Sequence, residues 1–399
     1  MADRRQNDRI MDNSYIQKLS SEAAELLKEM IAIPSPSFNE GEVCSYISNW
    51  LTDKGIIHKR VGNNIIAQLS EQNGRTEESK EALSNPTLML CAHIDTVSPC
   101  EGYSFDPYTP DYTEAAKAIG SEEIIAGLGS NDDGASVVSM IAAFRYFAER
   151  SLDCARDDNK GARDDNRGAG KNIILVLSCE EERSGVNGMT GLWPQIKEKV
   201  SYAIVGEPTG MKAATSERGL LVIDATAHGV SGHAARNEGV NAIGIAIKDI
   251  EALYNHTFNK ISPRMGKVNL NVTQINAGTA HNVIPDTCTF VIDIRPTEQY
   301  TNEDILMELQ GICNSELKPR NLKNRSSATH EDSPLQSAAE SLGIETFSSP
   351  TTSDWMRIDC DAIKMGPGES SRSHRKDEFV YVSEIKNGIE TYIRFIENL

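Results

Sequence analysis

Five short polar motifs, spread over most of the chain, each follow the end of a hydrophobic run. They carry histidines and carboxylates, in the order His93 with Asp95, Asp132 with Asp133, Glu180–Glu182, Glu207 and His374. Histidine nitrogens and carboxylate oxygens are common protein ligands of zinc and of related divalent metals. A cleft that gathers these side chains would therefore be suited to hold a pair of metal ions and to carry out metal-assisted hydrolysis.

The hydrophobic runs before these motifs predict the elements that position them. Thr87–Ala92, Asn172–Ser178, Tyr202–Gly206 and Ala362–Gly366 are short apolar segments bounded by turn residues. Such runs are typical of the buried strands of a parallel sheet. Because ligands of open α/β sheets gather beyond the carboxyl ends of the strands, we expect the motifs to meet in one cleft.

Each motif taken alone has a simpler explanation. A single histidine after a strand is commonly a surface residue or a hydrogen-bonded core residue, and an acidic triplet is commonly a solvated loop. The sequence Asp132-Asp133-Gly134 is also compatible with a turn followed by a helix N-cap. The recurrence of such motifs at strand ends favours a metal site, because burying several carboxylates together without cations costs a large free energy.

Composition argues for an ordinary soluble protein and against several classes of function. The 399 residues carry 40 basic and 58 acidic side chains, which gives a formal net charge of −18. This charge argues against binding to nucleic acid or to an anionic membrane surface, and no apolar stretch is long enough to span a bilayer. The N-terminus lacks the apolar segment of a signal peptide, and the eight cysteines form no Cys-x-x-Cys pair. We therefore expect a cytoplasmic protein without a disulfide framework.

The hydrophobic periodicity divides the chain into two domains. Through residue 210, strands alternate with amphipathic helices, as in an α/β sheet. Over residues 211–321 the pattern changes to the apolar–polar alternation of antiparallel strands with one exposed face, as in Cys288–Arg295. We predict a mostly parallel α/β domain over 1–210 and 322–399, with an inserted α+β domain of an antiparallel sheet and two helices over 211–321.

A charged, glycine-rich segment over residues 151–171 contains a near-duplicate, Ala155–Gly161 followed by Ala162–Gly168. The segment has little apolar surface to bury, so we expect a mobile surface insertion. A partner site is the less favoured alternative, because charge runs are usually solvated.

Together the motifs resemble those of the di-zinc amidohydrolase and exopeptidase family of acetylornithine deacetylase, succinyl-diaminopimelate desuccinylase, aminoacylase and carboxypeptidase G. The resemblance extends from Ile33 to the C-terminus. It rests on the segments Cys91–Val97, Gly127–Gly134, Glu180–Gly188, Val205–Thr209, Gly232–Ala235, His281–Pro285 and Gly366–His374. It implies that the inserted domain acts as a lid and as a dimerisation domain.

The resemblance implies a specific set of metal ligands. Asp132 would bridge two zinc ions. His93 and Glu207 would complete the shell of one ion, and Glu182 and His374 would complete that of the other. Cobalt or manganese would satisfy the same ligands.

Two further acidic residues would assist these ligands. Asp95 matches the family's carboxylate that fixes the ring of His93, and Glu181 matches its general base. The register of the triplet stays open, because Glu180 and Glu181 form a competing base–ligand pair. We favour Glu181 as the base, because Gly188 then falls where the family has its following glycine.

The resemblance also implies substrate contacts from the inserted domain and its neighbourhood. His233 looks like the family's histidine that reaches the active site of a neighbouring subunit and helps to hold the oxyanion. Asn282 and Arg295 match residues that bind the α-carboxylate of the substrate, and Thr352 resembles a residue bordering the cleft. The alternative for His233 is a helix-capping or loop histidine, and the alternative for Arg295 is a plain surface charge. Action across subunits would require a homodimer that pairs through the inserted domain.

The implied reaction is metal-dependent hydrolysis of an amide bond in an N-acyl amino acid, by a metal-bridged hydroxide with Glu181 as general base. The leading hypothesis is an N-acetyl- or N-succinyl-ornithine-like small-molecule substrate of arginine biosynthesis. Two alternatives are left open, a di-zinc dipeptidase or carboxypeptidase and a metal-binding scaffold without catalysis.

Overall fold

A computed structural model describes residues 13–69, 86–121, 123–156, 172–236 and 238–399. The mobile insertion predicted over 151–171 is wrong for its first six residues, because 151–156 belong to a helix that runs from Ala135 to Arg156. Residues 157–171, with most of the charged duplicate, lie outside the described residues. Within the described ranges, no helix combines the length and the apolar character that crossing a membrane requires.

The α-helices of the described residues are α1 (Asn13–Ile31), α2 (Gly41–Asp53), α3 (Tyr112–Ile119), α4 (Ala135–Arg156), α5 (Met189–Ile196), α6 (Ala242–Asn255), α7 (Asn302–Gln310), α8 (Pro334–Ser341) and α9 (Val382–Glu397). The strands are β1 (His58–Val61), β2 (Asn64–Leu69), β3 (Thr87–His93), β4 (Ile124–Ala126), β5 (Asn172–Ser178), β6 (Tyr202–Val205), β7 (Ala213–Glu217), β8 (Leu221–His228), β9 (Gly232–His233), β10 (Asn269–Ala277), β11 (Val283–Ile284), β12 (Thr287–Arg295), β13 (Glu316–Pro319), β14 (Ser327–Ala328), β15 (Thr346–Ser349), β16 (Asp361–Lys364) and β17 (Phe379–Tyr381).

The chain divides into two compact units. The first contains the residues up to Ala214 together with Thr329–Phe347 and Ser353–Leu399. The second contains Thr215–Ala328 and Ser348–Thr352.

The main sheet of the first unit runs in the order β1-β2-β5-β3-β6-β16. Strands β5, β3, β6 and β16 are parallel, and β1 and β2 extend the sheet beyond β5 with antiparallel pairs. The register sets His93 beside Ser178, and Cys91 beside Val205. The carboxyl ends of these strands therefore lie side by side, with Glu180–Glu182 and Glu207 just beyond them.

Both faces of this sheet are covered, which explains why its strands are continuously apolar. Along β3, Leu88 and Leu90 face a core that includes residues of α1, α2, α4 and α9. The alternate residues Met89 and Cys91 face a second core, to which α5 contributes Trp193. Because successive side chains of a strand point to opposite faces, β3 contributes residues to both cores.

The second unit is built around a four-stranded antiparallel sheet in the order β10-β12-β8-β13. Helix α6 packs on β8, β10 and β12, and α7 packs near β13. Cys288, Phe290, Ile292 and Ile294 of β12 are all buried in this core. The predicted fold class is therefore confirmed, with a largely parallel α/β sheet and a separate antiparallel α+β unit.

The bounds of the units differ from the predicted domain limits. The first unit resumes at Thr329 rather than at residue 322, and the short segment Ser348–Thr352 belongs to the second unit. Two hydrogen bonds fix this segment, from the amide of Arg218 to the carbonyl of Ser349 at 3.2 Å, and between the hydroxyls of Ser216 and Ser348 at 2.9 Å. Hydrophobic periodicity does not predict that this segment belongs to the second unit, because only a few polar hydrogen bonds attach it there.

Candidate metal centre

Strand β3 ends at His93, whose side chain is almost fully buried. Its Nδ1 lies 2.9 Å from the carbonyl oxygen of Asp95 and 3.5 Å from the Oδ1 atom of the same residue. Its Nε2 lies 3.2 Å from Oδ1 of Asp132. If Nδ1–H donates to Asp95, the ring is fixed with Nε2 directed at the Asp132 carboxylate.

Asp95 connects the ring of His93 to the acidic loop after β5. Its carboxylate accepts hydrogen bonds from the hydroxyl of Ser37 at 2.7 Å and from the amides of Glu181 and Glu182 at 3.0 and 3.1 Å. Burial alone would raise the pKa of Asp95, but its bonds with His93 and Ser37 hold that pKa below the usual value. One ionised side chain thus positions two of the candidate motifs.

The carboxylate of Asp132 lies between the two histidines. Its Oδ1 faces His93, and its Oδ2 lies 3.7 Å from Nε2 of His374. The same Nε2 of His374 is 3.0 Å from Oε1 of Glu182. Each oxygen of Asp132 is therefore directed toward a different histidine.

The three carboxylates of the acidic triplet have different partners. Glu180 has a left-handed φ of 59°, and its carboxylate accepts bonds from the amide and the side chain of Asn187 at 2.9 and 2.7 Å. Glu181 and Glu182 instead take part in groups with His93. The carboxylate of Glu180 is therefore occupied by Asn187, while those of Glu181 and Glu182 lie beside His93.

Two overlapping groups in the described residues bring their donor atoms within 4.8 Å of one another. They are His93 with Asp132 and Glu182, and His93 with Glu181 and Glu207. Imidazole and carboxylate donors suit zinc, cobalt and manganese. Since these buried and half-buried acids lie so close together, a divalent cation is the natural counter-charge, and the donor set fits a metal centre.

The electrostatics of the centre also fit a cation site. Burial raises the pKa of Glu181 well above the usual value, and burial together with the charge of Asp132 does the same to the pKa of Glu207. The hydrogen bond to Glu182 raises the pKa of His374 to about 9. Burial opposes protonation of His93, but its bonds to Asp132 and Asp95 raise its pKa well above normal.

Two buried residues that the sequence patterns missed support the ligand loops. Oε1 of Glu378 accepts bonds from the amides of Asn131 and Asp132 at 3.0 and 2.9 Å. The side chain of Asn131 donates to the hydroxyl of Ser373, next to His374, at 3.3 Å. The only sequence signal for Glu378 is an acid four residues after His374, which alone predicts nothing.

A third missed residue, Glu40, is completely buried near the start of α2. Its Oε1 accepts bonds from the amides of Phe38 and Glu180, at 2.6 and 3.2 Å. Glu40 thereby ties the acidic loop to the segment that contains Ser37. In the sequence Glu40 stands just before an amphipathic helix, where acidic residues are common, so nothing there marks it as part of the site.

The substrate residues suggested by the resemblance all belong to the second unit. His233 of β9 pairs with Val283 of β11, and the amide of Ala234 donates to the carbonyl of Asn282 at 3.0 Å, so His233 and Asn282 are neighbours. Arg295, at the end of β12, forms a two-pronged ion pair with Asp293, with distances of 2.8 and 3.2 Å. Thr352 lies in the segment Ser348–Thr352 of the same unit.

Comparisons with known proteins agree with this architecture. Residues 215–321 match the M20 peptidase dimerisation domain, and residues 64–203 match peptidase family M28. The chain is 25% identical to an acetylornithine deacetylase of Proteus mirabilis, over 94% of this chain and 96% of the relative. It is 24% identical to a succinyl-diaminopimelate desuccinylase of Psychromonas ingrahamii, over 80% and 85% of the two chains.

A solved structure shares the fold. The YXEP protein of Bacillus subtilis, described as a dinuclear metal-binding peptidase of the M20 family, superposes with a TM-score of 0.66 at 16% identity. The match covers 96% of this chain and 98% of that protein. The family resemblance predicted from the sequence is therefore confirmed.

Loading the metal-free protein with zinc near neutral pH is expected to release protons. His93 and His374 have raised pKa values and are protonated below them, so a cation must displace those protons to reach the ring nitrogens. The apparent zinc affinity should therefore fall as the pH is lowered. Calorimetric titration in buffers with different heats of ionisation counts the protons, and a pH-independent affinity without proton release would contradict this account of the centre.

Proposed function

We propose that this chain, an M20-family metallohydrolase that acts on amide bonds, removes the acyl group from an N-acyl amino acid. The favoured substrate is an N-acetyl- or N-succinyl-ornithine-like molecule of arginine biosynthesis. The main support is the convergence of His93 and Asp132 with three glutamates, Glu181, Glu182 and Glu207. The names of the two curated relatives support the substrate class, because both act on N-acylated amino acids.

Five side chains would hold two divalent ions. Asp132 would contribute to both, with His93 and Glu207 on one side and Glu182 and His374 on the other. When bound, such ions polarise a carbonyl group and make water more acidic. The contacts of Asp132 support this division, because its two oxygens are directed at different histidines.

Glu181 would move the proton in this reaction. Its amide is held by Asp95, and burial raises the pKa of its carboxyl group, so the group is suited to accept and return a proton. It would take a proton from the attacking water and deliver it to the nitrogen of the leaving amine as the C–N bond breaks. The products are the carboxylate of the acyl group and the free amino acid.

Residues of the second unit would bind the rest of the substrate. A guanidinium and an amide side chain, those of Arg295 and Asn282, suit an α-carboxylate. Thr352 would border the cleft, and His233 would help to hold the oxyanion. In the isolated chain Arg295 pairs with Asp293, so the substrate would compete for that guanidinium.

A homodimer is part of this proposal, supported by the match of residues 215–321 to a peptidase dimerisation domain. The edge strand β10 presents mostly exposed residues, including Ile275, which is 52% exposed. Pairing through this unit would bring His233 to the active site of the other subunit. Sedimentation of the purified chain as a monomer at assay concentration would contradict this part of the proposal.

A dipeptidase or carboxypeptidase is the alternative function, favoured by the peptidase descriptions of the matched domains. The chemistry at the metals would be the same, with a peptide in place of the acyl group. A scaffold without catalysis is disfavoured, because the proposed base is placed beside the ligands.

A substrate panel separates these functions. The zinc- or cobalt-loaded protein should hydrolyse N-acetylornithine or an N-succinyl amino acid with a higher kcat/KM than any dipeptide or acyl-free peptide in the panel. Release of the free amine, measured chromatographically, reports the reaction. Preference for dipeptides would support the alternative, and absence of hydrolysis across the panel with both metals bound would overturn the proposed function.

Replacing the base should separate catalysis from metal binding. Glu181→Gln is expected to lower kcat by about 10³-fold while both ions stay bound, because general base catalysis typically contributes between 10² and 10⁴. Glu180→Gln, in the same triplet, is the matched control and should retain most activity. Loss of metal in Glu181→Gln, or a larger loss of activity in Glu180→Gln, would show that the register of the triplet is wrong.

A further inference from the structure

The loop that carries His374 has an unusual backbone. His374 and Asp377 both adopt left-handed conformations, with φ of 57° and 59°. Such a conformation in a residue other than glycine is unfavourable and persists only when its surroundings enforce it. The side chain of His374 is also 55% exposed, compared with 2% for His93. Packing alone therefore does not hold His374 in place.

A short segment after β3 holds this loop from outside. We call residues 101–108 the strap. The hydroxyl of Tyr103 donates to the carbonyl of Arg375 at 3.1 Å. The amide of Ser104 donates to Oδ1 of Asp377 at 2.6 Å, and its hydroxyl donates to Oδ2 at 2.9 Å. Both carboxylate oxygens of Asp377 are thus engaged by one residue of the strap.

The opposite side of the loop is held by buried groups of the same unit. Glu378, the neighbour of Asp377, binds the amide of Asp132 through its side chain. Its carbonyl accepts a bond from the amide of Gly127 at 2.9 Å. Two adjacent acids therefore fasten the loop in two directions, Glu378 toward the Asp132 turn and Asp377 toward the strap.

We propose that Asp377 is a positioning residue, which acts through Ser104 to hold His374 where it completes the ion position formed with Glu182 and Asp132. The inference rests on the proposed function, because it assigns to the loop a part in that metal centre. We call the two bonds between Ser104 and Asp377 the clamp. Because the strap follows the segment that carries His93 and Asp95, the clamp also connects the loops of the two histidines.

The physical effect of the clamp is preorganisation. Without the two bonds to Ser104, the left-handed residues relax, and the exposed imidazole of His374 samples positions away from Glu182. Metal binding must then restore the loop, which lowers the affinity at that position. Changes to partners outside the ligand shell typically cost 10- to 100-fold in metal affinity.

Asp377→Gly tests the clamp, because it removes both hydrogen bonds without penalising the left-handed backbone. The control is Asp106→Ala, which removes another backbone-bonding carboxylate whose bonds, to the amides of Tyr108 and Thr109, are local and do not reach the His374 loop. Zinc titration of the full-length protein against a chromogenic chelator measures both ions. We expect Asp377→Gly to weaken one ion by about 10-fold or more and to leave the other nearly unchanged. Asp106→Ala should bind both ions as the unaltered chain does.

Ser104 provides a graded series for the same interaction. Ser104→Ala removes one of the two bonds and should give a smaller loss of affinity, while Ser104→Thr keeps the hydroxyl and should restore it. A purely structural role of the segment would not produce this order in zinc affinity.

Hydrogen exchange separates failure of the clamp from failure of the proposed function. In the metal-free protein, amides of residues 372–378 should exchange faster in Asp377→Gly than in Asp106→Ala. Unchanged zinc affinity of both ions in Asp377→Gly, or unchanged exchange, would overturn the inference. A third outcome is that the unaltered chain binds no zinc, while exchange still increases in Asp377→Gly. In that case the clamp would still hold the His374 loop, and the proposed metal function would be the part that fails.

Discussion

The crowding of ionisable groups at one edge of a buried sheet is the constraint on which the rest of the structure depends. Glu181 and Glu207 are partly buried beside His93, and burial raises the pKa of each carboxyl group. Such acids cannot all ionise together at low cost unless positive charge joins them. The parallel register of β3, β5 and β6 enforces the crowding, because it aligns the strand ends from which these residues follow.

A second layer of carboxylates converts this crowding into a defined geometry. Asp95 accepts the amides of Glu181 and Glu182, while Glu378 accepts that of Asp132. In each case an acid from one loop fixes the backbone of another loop. Such hydrogen-bond networks rigidify a site only when every buried donor and acceptor has a partner. The loss of one of these carboxylates is therefore expected to loosen a candidate ligand on another loop.

The sequence predicted what depends on repeated local patterns. The apolar run Asn172–Ser178 became β5 with those bounds, and the alternation of Cys288–Arg295 became part of β12. The supporting acids were not predictable, because Glu40 and Glu378 act through single contacts with distant backbone amides. The triplet alone also does not show that Glu180 differs from its neighbours, because the left-handed turn at Glu180 is what directs its carboxylate to Asn187. Local patterns therefore identify candidate ligands, and tertiary contacts identify the residues that hold them.

Anomalous diffraction from zinc-loaded crystals, recorded at the zinc absorption edge, tests the central claim most directly. The account predicts two peaks that share the carboxylate of Asp132, with zinc–nitrogen and zinc–oxygen distances of about 2.0–2.2 Å to the proposed ligands. One ion should contact His93 and Glu207, and the other Glu182 and His374. Peaks elsewhere, or a fully loaded protein in which Glu207 or His374 lies beyond coordination distance, would contradict it.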